Sequence, residues 1–169
     1  MIKKNNKRAF SLVETLLYIA IVSTVVVALT AFLSVNQNTA ARNQTVNEVE
    51  QQGTQIMQLI TQTIRNASSV TGPAVGTPGS TLTLVVSDGA KSPTIFDLSG
   101  GAIRIKEGTG TAFNITSNRV TASALTFTNL KPGTQKDSIR IQFTLSYNNA
   151  GAKQVFNYSQ TFYGTADDR

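Results

Sequence analysis

The chain contains no cysteine, no histidine and no tryptophan, and its four prolines all lie beyond residue 70. Without cysteine there is neither a disulfide framework nor a thiolate metal site, and thiol usage says nothing about redox compartment. The absence of histidine also removes Ser-His and Cys-His nucleophiles and His- or Cys-ligated zinc, and with them most familiar hydrolase chemistries. Charge is scarce as well, at 14% of residues, and it is unevenly placed. The formal net charge of +6 suggests a nucleic-acid partner until it is located: Lys3, Lys4, Lys7 and Arg8 supply four of the 15 basic residues. Beyond them the basic excess over nine acids is slight, so attraction to a phosphate backbone requires the remaining cations to cluster.

What is present is concentrated near the N-terminus. Residues 16–33, LLYIAIVSTVVVALTAFL, carry no charge and only Ser23, Thr24 and Thr30 as polar interruptions. At a helical rise of about 1.5 Å per residue, this run and its apolar flanks span a hydrocarbon layer of about 30 Å. The basic cluster precedes it and the first charge afterwards is Arg42, so the positive-inside rule puts the N-terminus in the cytoplasm and the rest of the chain outside. Three readings compete: a cleaved secretory signal, a plain single-pass anchor, and a leader cut on the cytoplasmic side. The apolar stretch exceeds the roughly 7–15 residues of a secretory signal. A plain anchor leaves Glu14 unexplained, because an unpaired carboxylate inside an apolar span costs about 2.5–3.5 kcal/mol.

The stretch Lys7-Arg8-Ala9-Phe10-Ser11-Leu12-Val13-Glu14-Thr15-Leu16 resembles the processing motif of type IV prepilins and type II secretion pseudopilins. In that family a basic leader ends in a small residue, an aromatic begins the mature chain, and a Glu follows four positions later. The resemblance implies that prepilin peptidase cuts between Ala9 and Phe10 and that the new Phe10 amine is N-methylated. Ala9 stands where the family usually has Gly. It further implies partners: other pilins or pseudopilins, an inner-membrane assembly platform, and the lipid bilayer. Physical logic points the same way, since cytoplasmic cleavage leaves the helix attached and creates a cationic amine. A neighbour's Phe10 amine facing Glu14 relieves both burial costs and sets axial register.

No proline interrupts residues 10–70, and Gly53 is their only glycine. Val46, Val49, Gly53, Ile56, Ile60, Ile64 and Ala67 recur at alternating steps of three and four, one helical stripe. That spacing suits either a coiled coil or packing against later strands, and the second is expected. A continuous helix over 11–69 is about 90 Å long, too long to bury in one small domain. Breakers at Thr71-Gly72-Pro73 and Thr77-Pro78-Gly79-Ser80 end it. Short β-type runs follow at 82–86, 95–98, 103–105, 113–116 and 125–128. The clearest strand is 138–147, with Ile139, Ile141, Phe143, Leu145 and Tyr147 on one face; Asn148-Asn149-Ala150-Gly151 turns it into 154–163.

The expected fold is therefore α+β: a long N-terminal helix packed on a C-terminal antiparallel sheet, pilin-like by resemblance. The organisation is a leader at 1–9, a transmembrane helix at 10–35, its amphipathic continuation at 36–70, and a β-rich extracytoplasmic domain at 71–169. The layout, with a faint likeness at residues 161–166, is similar to minor, J-like pseudopilins and minor pilins; the missing cysteine pair leans the same way. Because major pseudopilins bind calcium in a C-terminal loop, Asp88, Asp97, Asp137, Asp167 and Asp168 raise calcium as a cofactor, but their spacing matches no calcium loop, and no other cofactor is expected. Gly100-Gly101 and Gly108-Thr109-Gly110 form no phosphate loop. The strand aromatics fall at core spacing, and Lys131–Lys136 reads as a solvated loop. Three functions compete: a structural subunit, a tip module for DNA uptake or adhesion, and an anchored enzyme. The last lacks any local pattern selecting a Ser-Lys or carboxylate pair.

Overall fold

The computed structural model describes residues 11–131, 136–149, 151 and 156–168. One helix, α1 (Leu12–Asn66), is followed by nine strands: β1 (Ala67–Gly72), β2 (Pro78–Gly79), β3 (Leu82–Val86), β4 (Thr94–Ser99), β5 (Ala102–Glu107), β6 (Phe113–Asn114), β7 (Val120–Asn129), β8 (Ser138–Tyr147) and β9 (Ser159–Asp167). The architecture is α+β, with the strands in two antiparallel sheets, ordered β1-β3-β4-β5-β6 and β2-β7-β8-β9. The chain divides into two compact units, residues 1–41 and 42–169.

In the first unit α1 is free of Gly and Pro and satisfies its own backbone hydrogen bonds. Residues 12–37 are all exposed. By length and composition this helix is able to cross a membrane.

In the second unit the same helix is amphipathic. Thr45, Val49, Gly53, Ile56, Ile60 and Ile64 are buried and Val46 is half-buried, so the stripe packs on the domain as its spacing predicts. It meets Phe127, Ile139, Ile141, Phe143 and Leu145 of the four-stranded sheet, and Leu82, Leu84, Phe96, Ile103 and Ile105 of the other, in one core. Each fully buried Val, Leu, Ile or Phe contributes about 1.5–3 kcal/mol relative to exposure. Phe162 of β9 lies over the bare backbone of Gly53 and stacks on Phe143 at 5.3 Å between ring centroids. Met57 reciprocates by lying over Gly164 of β9. Two glycines thus each receive a large side chain of the facing element.

Three expectations are corrected. The helix ends at Asn66, before the predicted breakers, because Ala67–Gly72 forms β1 against β3. Ser68, Ser69, Val70 and Thr71 are poor helix formers that fit a sheet better. The strands make two sheets instead of one, since each covers one face of a shared core. The run at 125–128 is the second half of a longer β7, broken by a bulge between Ser123 and Thr126, where Ala124 takes φ 53°. At the other end of the chain, β9 starts at Ser159 and pairs with β8 from Ser146↔Ser159 onward; residues 152–155 of the expected strand lie outside the described residues.

Gly53→Ala tests the interlock. The added Cβ collides with the Phe162 ring, at an overpacking cost of about 1–3 kcal/mol, against a helix-propensity gain of about 1 kcal/mol. A lowered urea midpoint is expected, with Gly89→Ala, in open space, as a neutral control. A midpoint raised by Gly53→Ala contradicts the packing.

Candidate assembly helix and surface sites

The start of α1 is organised by Ser11, whose carbonyl accepts the Thr15 N–H at 3.1 Å. Ser11 is thus the N-cap residue and Glu14 lies in the first turn, where the helix dipole favours a carboxylate by about 0.3–1 kcal/mol. Ser11-Leu12-Val13-Glu14 has capping-box spacing, a local role for Glu14 not considered from the sequence though its signature was present. Glu14 is exposed and forms no ion pair among the described residues. Ala9 and Phe10, the expected cleavage and methylation positions, lie outside the described residues.

The hydroxyls of the span bond back to their own helix. Thr15 donates to the Leu12 carbonyl at 2.8 Å, Ser23 and Thr24 to that of Ala20 at 2.9 Å, and Thr30 to that of Val27 at 2.9 Å. A hydroxyl satisfied in this way costs little in hydrocarbon. Glu14 cannot bond back to a carbonyl in this way, because an ionised carboxylate only accepts hydrogen bonds.

On the second unit several charged side chains are matched. Arg104 forks onto Asp97 at 2.8 and 2.6 Å across β4 and β5, Arg119 meets Glu48 at 3.4 Å, Lys91 meets Glu107 at 3.5 Å, and Lys131 meets Asp137 at 3.5 Å. The Asp97 hydrogen bond holds the Arg104 guanidinium above its ordinary pKa, against the opposing effect of burial and with help from the Asp97 charge. These pairings lower the field available to a DNA backbone.

The expected calcium carboxylates have local duties. Asp97 is taken by Arg104, and Asp88 accepts the Ala90 N–H at 3.0 Å. Asp137, only 6% exposed, accepts from Asn129 Nδ2 at 3.0 Å, and its own N–H donates to Asp168 Oδ1 at 3.0 Å. Asp167 is exposed at the end of β9. No group of three candidate ligands for a metal ion forms among the described residues. The Asn129–Asp137 pair, which joins the end of β7 to the residue before β8, was not foreseen: nothing in residue type marks a buried Asp.

A groove of about 510 Å³ beside the end of α1 brings Ser87 near Lys91. Ser87 is hydrogen-bonded to Ser68 at 3.2 Å and Lys91 is paired with Glu107, so neither is arranged as a nucleophile and its base. With this geometry in view, comparison with known proteins adds no analogy: no family model, curated protein or solved structure matches the chain.

Where the helix meets the sheet edge, the Tyr158 hydroxyl approaches Glu50 Oε1 at 3.3 Å. Desolvation first, then the Glu50 charge and this hydrogen bond, raise the Tyr158 pKa above its ordinary value. A raised folded-state pKa gives stability fully present below the unfolded value of about 10 and lost as pH rises through the folded one. Urea midpoints measured from pH 8 to pH 11.5 should fall more steeply for the native chain than for Tyr158→Phe. Parallel curves contradict this coupling.

Proposed function

We propose that this chain is a structural subunit, of the minor class, in a type IV pilus or type II secretion pseudopilus. It is inserted in the inner membrane with its N-terminus cytoplasmic, processed by prepilin peptidase between Ala9 and Phe10, N-methylated at Phe10, and drawn by the assembly platform into a filament of pilins or pseudopilins. It turns over no substrate. One observation carries the reading: a basic, aromatic-initiated motif leads directly into a helix with exposed apolar side chains, self-satisfied hydroxyls and a single carboxylate, Glu14, in its first turn. A lipid-embedded helix keeps such a carboxylate only for a function or a partner, and a neighbour's processed amine supplies one.

A tip-binding role on the same scaffold is the second reading. Its DNA form has little support from the matched cations described above, whereas its adhesion form is favoured by the outer face of the four-stranded sheet, where Thr144 pairs with Thr161 and Ser146 with Ser159 through their hydroxyls.

Mass spectrometry of protein purified from a host with prepilin peptidase should find a chain beginning at N-methylated Phe10. An intact Met1, or a cut beyond residue 30, contradicts the proposal. Glu14→Ala should insert in the membrane normally yet lose most filament incorporation, while Ser11→Ala retains it. Equal losses in the two variants assign Glu14 to local capping instead.

A further inference from the structure

The outward face of the four-stranded sheet has an unusual composition. Phe143 and Leu145 of β8 point into the core, so alternate residues of β7, β8 and β9 point out. In the rows where β8 runs from Arg140 to Ser146, every outward position is Ser or Thr except Arg140, Gln142, Tyr163, Ala124 at the bulge and Pro78 of β2. No acid lies in these rows; Asp167 is one row beyond. The hydroxyls form cross-strand pairs, Thr144 with Thr161 at 2.9 Å and Ser146 with Ser159 at 3.0 Å. Opposite Gln142 stands Tyr163, 69% exposed, a large ring held in water by its strand.

Thr and Ser fill solvated strand positions in many proteins, being polar and compatible with a sheet. Near-absence of charge is different, since surfaces commonly carry about 25–35% charged residues. The other sheet of this molecule follows that custom, with Asp97, Arg104 and Lys106 on β4 and β5. Strand β9 is moreover a long edge strand without charge from Ser159 to Ala166, the kind of edge that proteins ordinarily blunt with Lys or Pro.

We propose that this face binds a neutral, extended polysaccharide, with Tyr163 as the stacking platform and Gln142, Arg140 and the hydroxyl rows as hydrogen-bonding partners. Sugar rings present apolar C–H faces and hydroxyl edges. The first suit an exposed aromatic ring, and the second suit groups that both donate and accept. The absence of acids and the single cation match an uncharged ligand, whereas a nucleic acid requires several cations. A second protein surface would ordinarily find an apolar centre to bury, and apart from Tyr163 this face offers only Ala124 at the bulge and Pro78 at its edge. Three strands at about 4.8 Å spacing and four rows at about 6.8 Å give a platform of about 10 by 20 Å, room for several sugar units of a flat chain. The inference does not rest on the filament assignment.

The test uses the full chain in nanodiscs, incubated with amorphous cellulose, with chitin and, separately, with duplex DNA. Retention on at least one polysaccharide is expected, little changed between 0.1 and 1 M NaCl because no ion pair drives it. Tyr163→Ala should lower retention at least tenfold with an unchanged circular dichroism spectrum, and Tyr163→Phe should keep most of it. The proposal is overturned by absence of retention on both polysaccharides, by retention that Tyr163→Ala leaves intact, or by salt-sensitive binding to DNA alone.

Discussion

A helix whose interior backbone groups are internally bonded still has to place its side chains somewhere, and residues 12–37 of α1 bury none of theirs among the described residues. Residues 12–37 are exposed although most are Leu, Val, Ile or Ala. Exposed to water, that much apolar surface is unfavourable by about 25 cal/mol per Å². Lipid or neighbouring helices remove the penalty, and Thr15, Ser23, Thr24 and Thr30 bond their hydroxyls back to the helix, which lowers the cost of placing them in hydrocarbon. Glu14 is the exception, and in the proposed function it becomes the group that distinguishes a filament subunit from a mere anchor.

The second half of α1 meets the opposite condition. From Thr45 to Ile64 its stripe is enclosed by two sheets. Packing there is specific because Gly53 and Gly164 accept Phe162 and Met57 against bare backbone. Several charges are held in local pairs, notably Arg104 with Asp97 and Lys131 with Asp137. The four-stranded sheet also exposes a hydroxyl-rich face on which Arg140 is the one cation.

Much of this was legible in the residues. The apolar span and the stripe are periodic over many turns, and Gly53 kept the phase of a buried position because a glycine there makes room for an aromatic ring. The alternation of Ile139, Ile141, Phe143 and Leu145 located β8 to the residue. The end of α1 was less legible, because Ala67 continues the helical phase while pairing with Val86 decides its conformation. Division into two sheets and burial of Asp137 depend on contacts between residues distant in sequence, which local pattern does not encode. At the start of α1, the resemblance was readable in the residues, but whether Glu14 caps its own helix or meets a neighbour is a property of two chains.

That distinction is the most direct test of the account. Filaments assembled from mixed isotopically labelled and unlabelled subunits, treated with a carbodiimide that joins carboxylates to amines in contact, are digested and sequenced by mass spectrometry. A mixed-isotope amide joining the Phe10 nitrogen of one subunit to Glu14 of another is the predicted product. Amides formed only within single chains, or no Glu14 amide in fully assembled filaments, contradict the claim that an intersubunit ion pair holds the helices in register.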